Sequence, residues 1–164
     1  MRALIIICFI ITCYLQYDKL GSTRRMLSTC VTFSNQTVLM MVAYTLLSKS
    51  RKIQDILTLY GIIICTVFYG IIVPFNGIPE QFIVDALIHI SIPTLFIIQR
   101  GTRTFERITF SQFILYPVFY FVFIQLISAR RGYQVYPFLN DPIGIFLVGL
   151  VFIIVHQISQ QNKS

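Results

Sequence analysis

Asp85 and His89 stand four residues apart inside the apolar stretch Phe82 to Ile98, a spacing that stacks two side chains on one face of a helix. Pro93 follows His89 by another four residues. Proline has no N–H, so the carbonyl of His89 loses its helical donor and the helix is expected to kink there. A carboxylate, an imidazole and a freed carbonyl thus gather within about one helical turn. An imidazole beside a carboxylate takes a proton from a hydroxyl, the carboxylate orienting the ring and stabilising its cation. Hydroxyls are supplied by the polar start of another apolar run, Ser28-Thr29-Cys30-Val31-Thr32-Phe33-Ser34-Asn35-Gln36-Thr37. The same side chains also admit a purely structural use, since His89, Asn35 or Gln36 can hydrogen-bond across to a neighbouring helix. His156 lies two residues before the expected end of the last apolar run, a place that suits an interfacial role.

The elements that must position these groups follow from composition. Of 164 residues, 56% are apolar and 12% charged, against roughly a quarter charged in a soluble domain. Too few charges remain to solvate the surface, so most of it must face lipid. Six apolar runs are visible, at about 3–20, 29–47, 56–73, 82–98, 108–127 and 142–158. Each is near the ~20 residues that cross ~30 Å of hydrocarbon. Alternating barrel strands are not seen. The expected fold is all-α: one transmembrane domain over residues 1–164, a bundle of six transmembrane helices. The first run, preceded by Arg2, has the outline of a signal peptide but lacks a small-residue cleavage site and is read as an uncleaved helix.

The net charge of +7 is not a nucleic-acid footprint, because the basic residues form short clusters between apolar runs rather than a continuous face. Such clusters match anionic headgroups, so membrane lipids are the expected partners. The N-terminus, second loop, fourth loop and C-terminus hold Arg2, Lys49, Arg51, Lys52, Arg100, Arg103, Arg107 and Lys163; the other side holds Lys19, Arg24, Arg25, Arg130 and Arg131. This bias places both termini in the cytoplasm. The second and fourth helices then enter the membrane from one side, with the loop Gly132 to Asp141, and bring Thr32, His89 and Tyr136 toward one membrane face. Cys8, Cys13, Cys30 and Cys65 show no metal-ligand spacing, and neither metal nor cofactor is expected.

Three stretches carry a resemblance: Val31-Thr32-Phe33-Ser34-Asn35, Asp85-Ala86-Leu87-Ile88-His89-Ile90-Ser91-Ile92-Pro93 and Val135-Tyr136-Pro137-Phe138-Leu139-Asn140. In order and placement the chain resembles the androgen-induced-gene family of multi-spanning membrane proteins and its smaller bacterial relatives, over roughly Arg24 to Gly149. The resemblance implies an intramembrane threonine hydrolase of lipid esters, namely fatty-acid esters of hydroxy fatty acids. The family's threonine nucleophile, followed by Phe, falls on Thr32; its histidine falls on His89; Asp85 takes the place of the Asn or Asp one turn earlier. Asn35 and Tyr136 are the expected substrate or oxyanion contacts, with Ser34 and Thr29 as further lone-pair groups near the reacting centre. In many bacterial relatives the threonine stands four residues before the Asn, which is Val31 here, and Thr29 is the rival on nearly the same helical face as Thr32. The alternative reading is a non-catalytic, transport-related or assembly component whose polar cluster holds helices together.

Overall fold

Prolines set the shape of this helical bundle. A computed structural model describes residues 1–21, 32–76, 82–131 and 142–161. Six helices fill it: α1 (Arg2–Leu20), α2 (Phe33–Leu47), α3 (from Arg51, ending at Asn76), α4 (from Phe82, ending at Arg100), α5 (Phe110–Arg131) and α6 (Pro142–Gln161). No strand occurs among the described residues. Arg51–Ile72, Phe82–Arg100 and Pro142–Gln161 are each long and apolar enough to cross a membrane.

Two starts differ from the apolar runs. α3 begins five residues before Ile56, because the Ser50 hydroxyl accepts from the Ile53 N–H at 3.4 Å and caps a turn that carries Arg51 and Lys52. α2 begins at Phe33, with Thr32 as its extended N-cap, its hydroxyl accepting from the Asn35 N–H at 3.3 Å. Residues 29–31 of the expected second run lie outside the described residues.

Both α3 and α4 contain a π-helical turn, Phe68–Ile72 and Leu87–Ser91. In each the ladder skips a residue: Val73 N–H donates to the Phe68 carbonyl, and Ile92 N–H to that of Leu87. Each turn ends two residues before a proline, Pro74 or Pro93. The carbonyl that each proline leaves without its helical donor belongs to the third residue of the turn, Gly70 or His89.

α3 is the hub, packed against α2, α6 and the second half of α4, while α1 lies outside against α2 and α4. Met41, Leu59, Ile63, Ile92 and Phe96 form the fully buried centre. A Cβ at Gly61 would stand 2.8 Å from Met41 Cε and 3.2 Å from Pro93 Cβ, so α2, α3 and α4 approach closely at a position without a side chain, and a methyl there would displace the Met41 tip and crowd Pro93. α5 is spaced from its neighbours by large rings, and its outer face exposes Leu115, Phe119, Val122 and Leu126, with Ser111, Gln112 and Gln125 as the exposed polar residues toward its ends.

The end of the bundle away from His89 closes around one carboxylate. Asp55 is fully buried and receives Arg100 Nε at 2.8 Å, both terminal nitrogens of Arg103 at 3.0 and 2.8 Å, and the Glu106 N–H at 2.7 Å. The Arg100 guanidinium also lies 3.6 Å from the Phe105 ring centroid. On the same loop the Ile108 carbonyl accepts from His156 Nε2–H at 3.1 Å and from the Gln160 amide at 3.0 Å. His156 is therefore a buried side chain whose ring ties α6 to the residues just before α5. Asp55→Ala should cost about 3–5 kcal/mol, because two arginines lose the charge they converge on. Thermal unfolding of the detergent-solubilised variant measures this, and a melting curve that overlays the wild type would contradict it.

Candidate active site

His89 sits in the π-turn of α4, at the level where α2 begins. Its Nδ1 is 2.9 Å from the backbone carbonyl of Asp85 and its Nε2 is 3.1 Å from Ser34 Oγ. A carbonyl can only accept, so the network assigns the ring proton to Nδ1. Nε2 then presents a lone pair, and the Ser34 hydroxyl donates to it. This is the tautomer that a general base requires. The imidazole lies flat on Phe68, from the other π-turn, with ring centroids 3.8 Å apart and planes 11° off parallel. The two irregular turns thus hold the ring from opposite sides.

The expected residues fall into place unevenly. Asp85 orients the imidazole through its main-chain carbonyl; its carboxylate is 4.0 Å from Nδ1, beyond a hydrogen bond. Thr32 occupies the cap of α2 with its oxygen turned to the Asn35 N–H, and the hydroxyl that α2 brings to His89 is that of Ser34, two residues on. Asn35 is in this same first turn. Tyr136, Thr29 and Val31 lie outside the described residues. In sequence Ser34 is only one hydroxyl among several. What singles it out is the helix boundary: Thr32 has non-helical dihedrals, so counting helical faces from it misplaces every direction by part of a turn.

Ser34 and His89 open into a cavity of about 380 Å³. Apart from the Tyr120 hydroxyl the rest of its wall is apolar, including Phe33, Ile64, Phe68, Val118, Phe121 and Gly149. Phe33 anchors that wall, its ring 5.8, 5.4, 5.3 and 6.2 Å from those of Tyr60, Tyr116, Tyr120 and Phe152. Tyr116 also donates to Gln36 Oε1 at 2.8 Å, tying α5 to α2. A serine–histidine pair at the head of an apolar chamber can transfer the acyl group of a greasy ester. Among the described residues, no three His, Cys, Asp or Glu gather as a metal cage would require.

No family model, curated protein or solved structure matches this chain. The likeness to the androgen-induced-gene family is therefore one of short motifs alone.

The carbonyls freed by prolines beside the cavity are both capped from α3. Cys65 Sγ donates to the His89 carbonyl at 2.6 Å, and Tyr60 donates to the carbonyl of Phe113, four residues before Pro117, at 2.6 Å. Cys65→Ala should remove the donor that holds the His89 turn and lower stability by about 1 kcal/mol. Cys65→Ser, which keeps a donor, should restore most of it. Equal unfolding midpoints for the two variants would show that the thiol contributes packing only.

Proposed function

We propose that this chain is an intramembrane hydrolase of lipid esters in which His89 is the general base and a hydroxyl at the start of α2 is the nucleophile. The observation that carries the reading is the Nδ1-protonated imidazole whose Nε2 meets Ser34 Oγ at the head of an apolar cavity. Geometry favours Ser34 as the attacking residue, where the resemblance implied Thr32. Fatty-acid esters of hydroxy fatty acids, whose ester joins two alkyl chains, are the substrates that the resemblance suggests, and the largely apolar lining suits those chains.

In the proposed cycle Ser34 Oγ attacks the ester carbonyl carbon as its proton passes to His89 Nε2. The tetrahedral intermediate collapses, and the departing alkoxide takes that proton. Water, deprotonated by the same nitrogen, cleaves the acyl-serine and returns the proton to Oγ. Ser34 lies in the first turn of α2, where outward-pointing N–H groups and the positive end of the helix dipole favour a developing oxyanion. The Asp85 carboxylate stabilises the transient imidazolium across 4.0 Å.

We further propose that all six helices span the bilayer, with both termini cytoplasmic. α1 and α5, of 19 and 22 residues, are long enough for ~30 Å of hydrocarbon, and exposed Leu39, Leu46 and Leu47 on α2 suit a lipid surface. Reporter fusions should read cytoplasmic at Ser50 and Gly101 and external at Asn76 and Gly132; the reverse pattern would overturn the orientation.

Ser34→Ala should lower ester turnover by ~10²-fold or more and abolish labelling by a fluorophosphonate, whereas Thr32→Ala should only weaken the α2 cap, by ~1 kcal/mol. His89→Gln should lose turnover as Ser34→Ala does while expression is kept. Labelling lost in Thr32→Ala and retained in Ser34→Ala would return the nucleophile to Thr32. Turnover per molecule unchanged in His89→Gln would make the Ser34–His89 pair a helix clamp and remove the hydrolase reading.

A further inference from the structure

The cavity below Ser34 has a side door. Val118 and Phe121 of α5 and Ile145 of α6 line it and are also among the exposed hydrophobic side chains of the bundle, so they mark a mouth on the flank rather than at either end. The backbones of α5 and α6 barely approach one another. Between them stands Gly149, which lines the cavity and is exposed, and a Cβ built on it meets nothing within 4 Å. The proline-freed carbonyl of Phe113, tied to Tyr60, fixes α5 one turn before Pro117, so the helix above the tie can stand off from α6. Beyond the rim the surface continues as Phe119, Val122, Phe146 and Ile153, all apolar and all exposed.

We propose that the gap between α5 and α6 is a lateral portal through which one acyl chain of a membrane lipid enters from the bilayer, and that Gly149 keeps it open. This rests on the hydrolase reading, since it brings the carbonyl end of that chain to Ser34. The occupant is an acyl chain because the wall between rim and head is apolar apart from the Tyr120 hydroxyl and the mouth merges with the apolar flank of α5 and α6. A water-soluble ester would have to cross that apolar flank to reach the mouth. At about 380 Å³ the space is at the small end of ligand cavities, ~300–1,000 Å³, so it suits a single chain. Ser34 and His89, with the Tyr120 hydroxyl, are the polar groups lining it among the described residues, so Ser34 and His89 meet the ester at the end of that chain.

The test uses the full chain in phosphatidylcholine vesicles doped with phosphatidylcholine carrying a diazirine in one acyl tail, with photolabelled residues mapped by mass spectrometry. Labelling is expected on Val118, Phe121 and Val148 around the cavity. Gly149→Phe fills the mouth and should reduce that labelling about tenfold, the effect of excluding roughly two methylenes. Gly149→Ala should leave it nearly intact. Val118→Trp narrows the opposite lip and should act as Gly149→Phe does, which guards against one variant that fails to fold. Ser34→Ala should retain labelling while losing turnover. Labelling confined to outward residues such as Phe119, or unchanged in both blocked variants with wild-type melting curves, would overturn the portal. No ester turnover by the wild-type chain, with labelling still lost on blocking, would instead overturn the hydrolase reading and leave the chain-binding portal standing.

Discussion

Every carbonyl that a proline strips of its donor, far from water, needs another one. In this chain the demand falls on α3. Pro93 frees the carbonyl of His89 and Pro117 that of Phe113, and α3 answers with the Cys65 thiol and the Tyr60 hydroxyl. Those two bonds fix where α4 and α5 lie against the hub. They also decide the height at which His89 faces the start of α2 and the stand-off of α5 that leaves room for the cavity. The prolines thus bend two helices, and the donors of a third hold the bends in place.

The opposite pole is held by charge. Asp55 gathers Arg100, Arg103 and the Glu106 N–H, so the connection from α4 to α5 is wound onto α3. Taking a lone carboxylate out of water is costly, and only the fork of Arg103 together with Arg100 offsets it. The cluster retains a positive excess, in keeping with the basic residues around it. One end of the bundle is rigid and ionic, while the other is aromatic and hollow, with α5 spaced away by Tyr116 and Tyr120. The candidate chemistry sits in the looser half.

Much of this was legible beforehand, for identifiable reasons. Apolar runs delimit helices well, and all six coincide with observed helices apart from a few residues at their ends. His89, Asp85 and Pro93 stood out because ionisable groups and prolines are scarce in apolar runs. Asp55 did not, because it sits beside a basic loop and its partners come from forty-five and more residues away. Ser34 was hidden by an end effect: a residue's direction on a helix can be counted only once the first helical residue is known, and Thr32 is a cap. Asp85 meets the imidazole through another group than the spacing suggests, since its backbone carbonyl, not its carboxylate, accepts from Nδ1. The pairing of each π-turn with a proline could have been suspected from Pro74 and Pro93, yet tertiary packing decides whether a proline kinks a helix or widens it.

Those widened turns have a consequence for how the chain can vary. A π-turn accommodates one residue more than the α-helix around it, so the segments on either side are out of phase by one position. In α3 and α4 the phase slip falls at the rings of Phe68 and His89 themselves. Loss of a single residue inside either turn would close it to plain α-helix with both flanks still in place, whereas the same loss in the plain α-helix beside it would swing one flank by ~100° and carry its ring out of the stack. The register of the site is therefore written in residue count as much as in residue type, and the turns are where α3 and α4 can absorb a change of one residue.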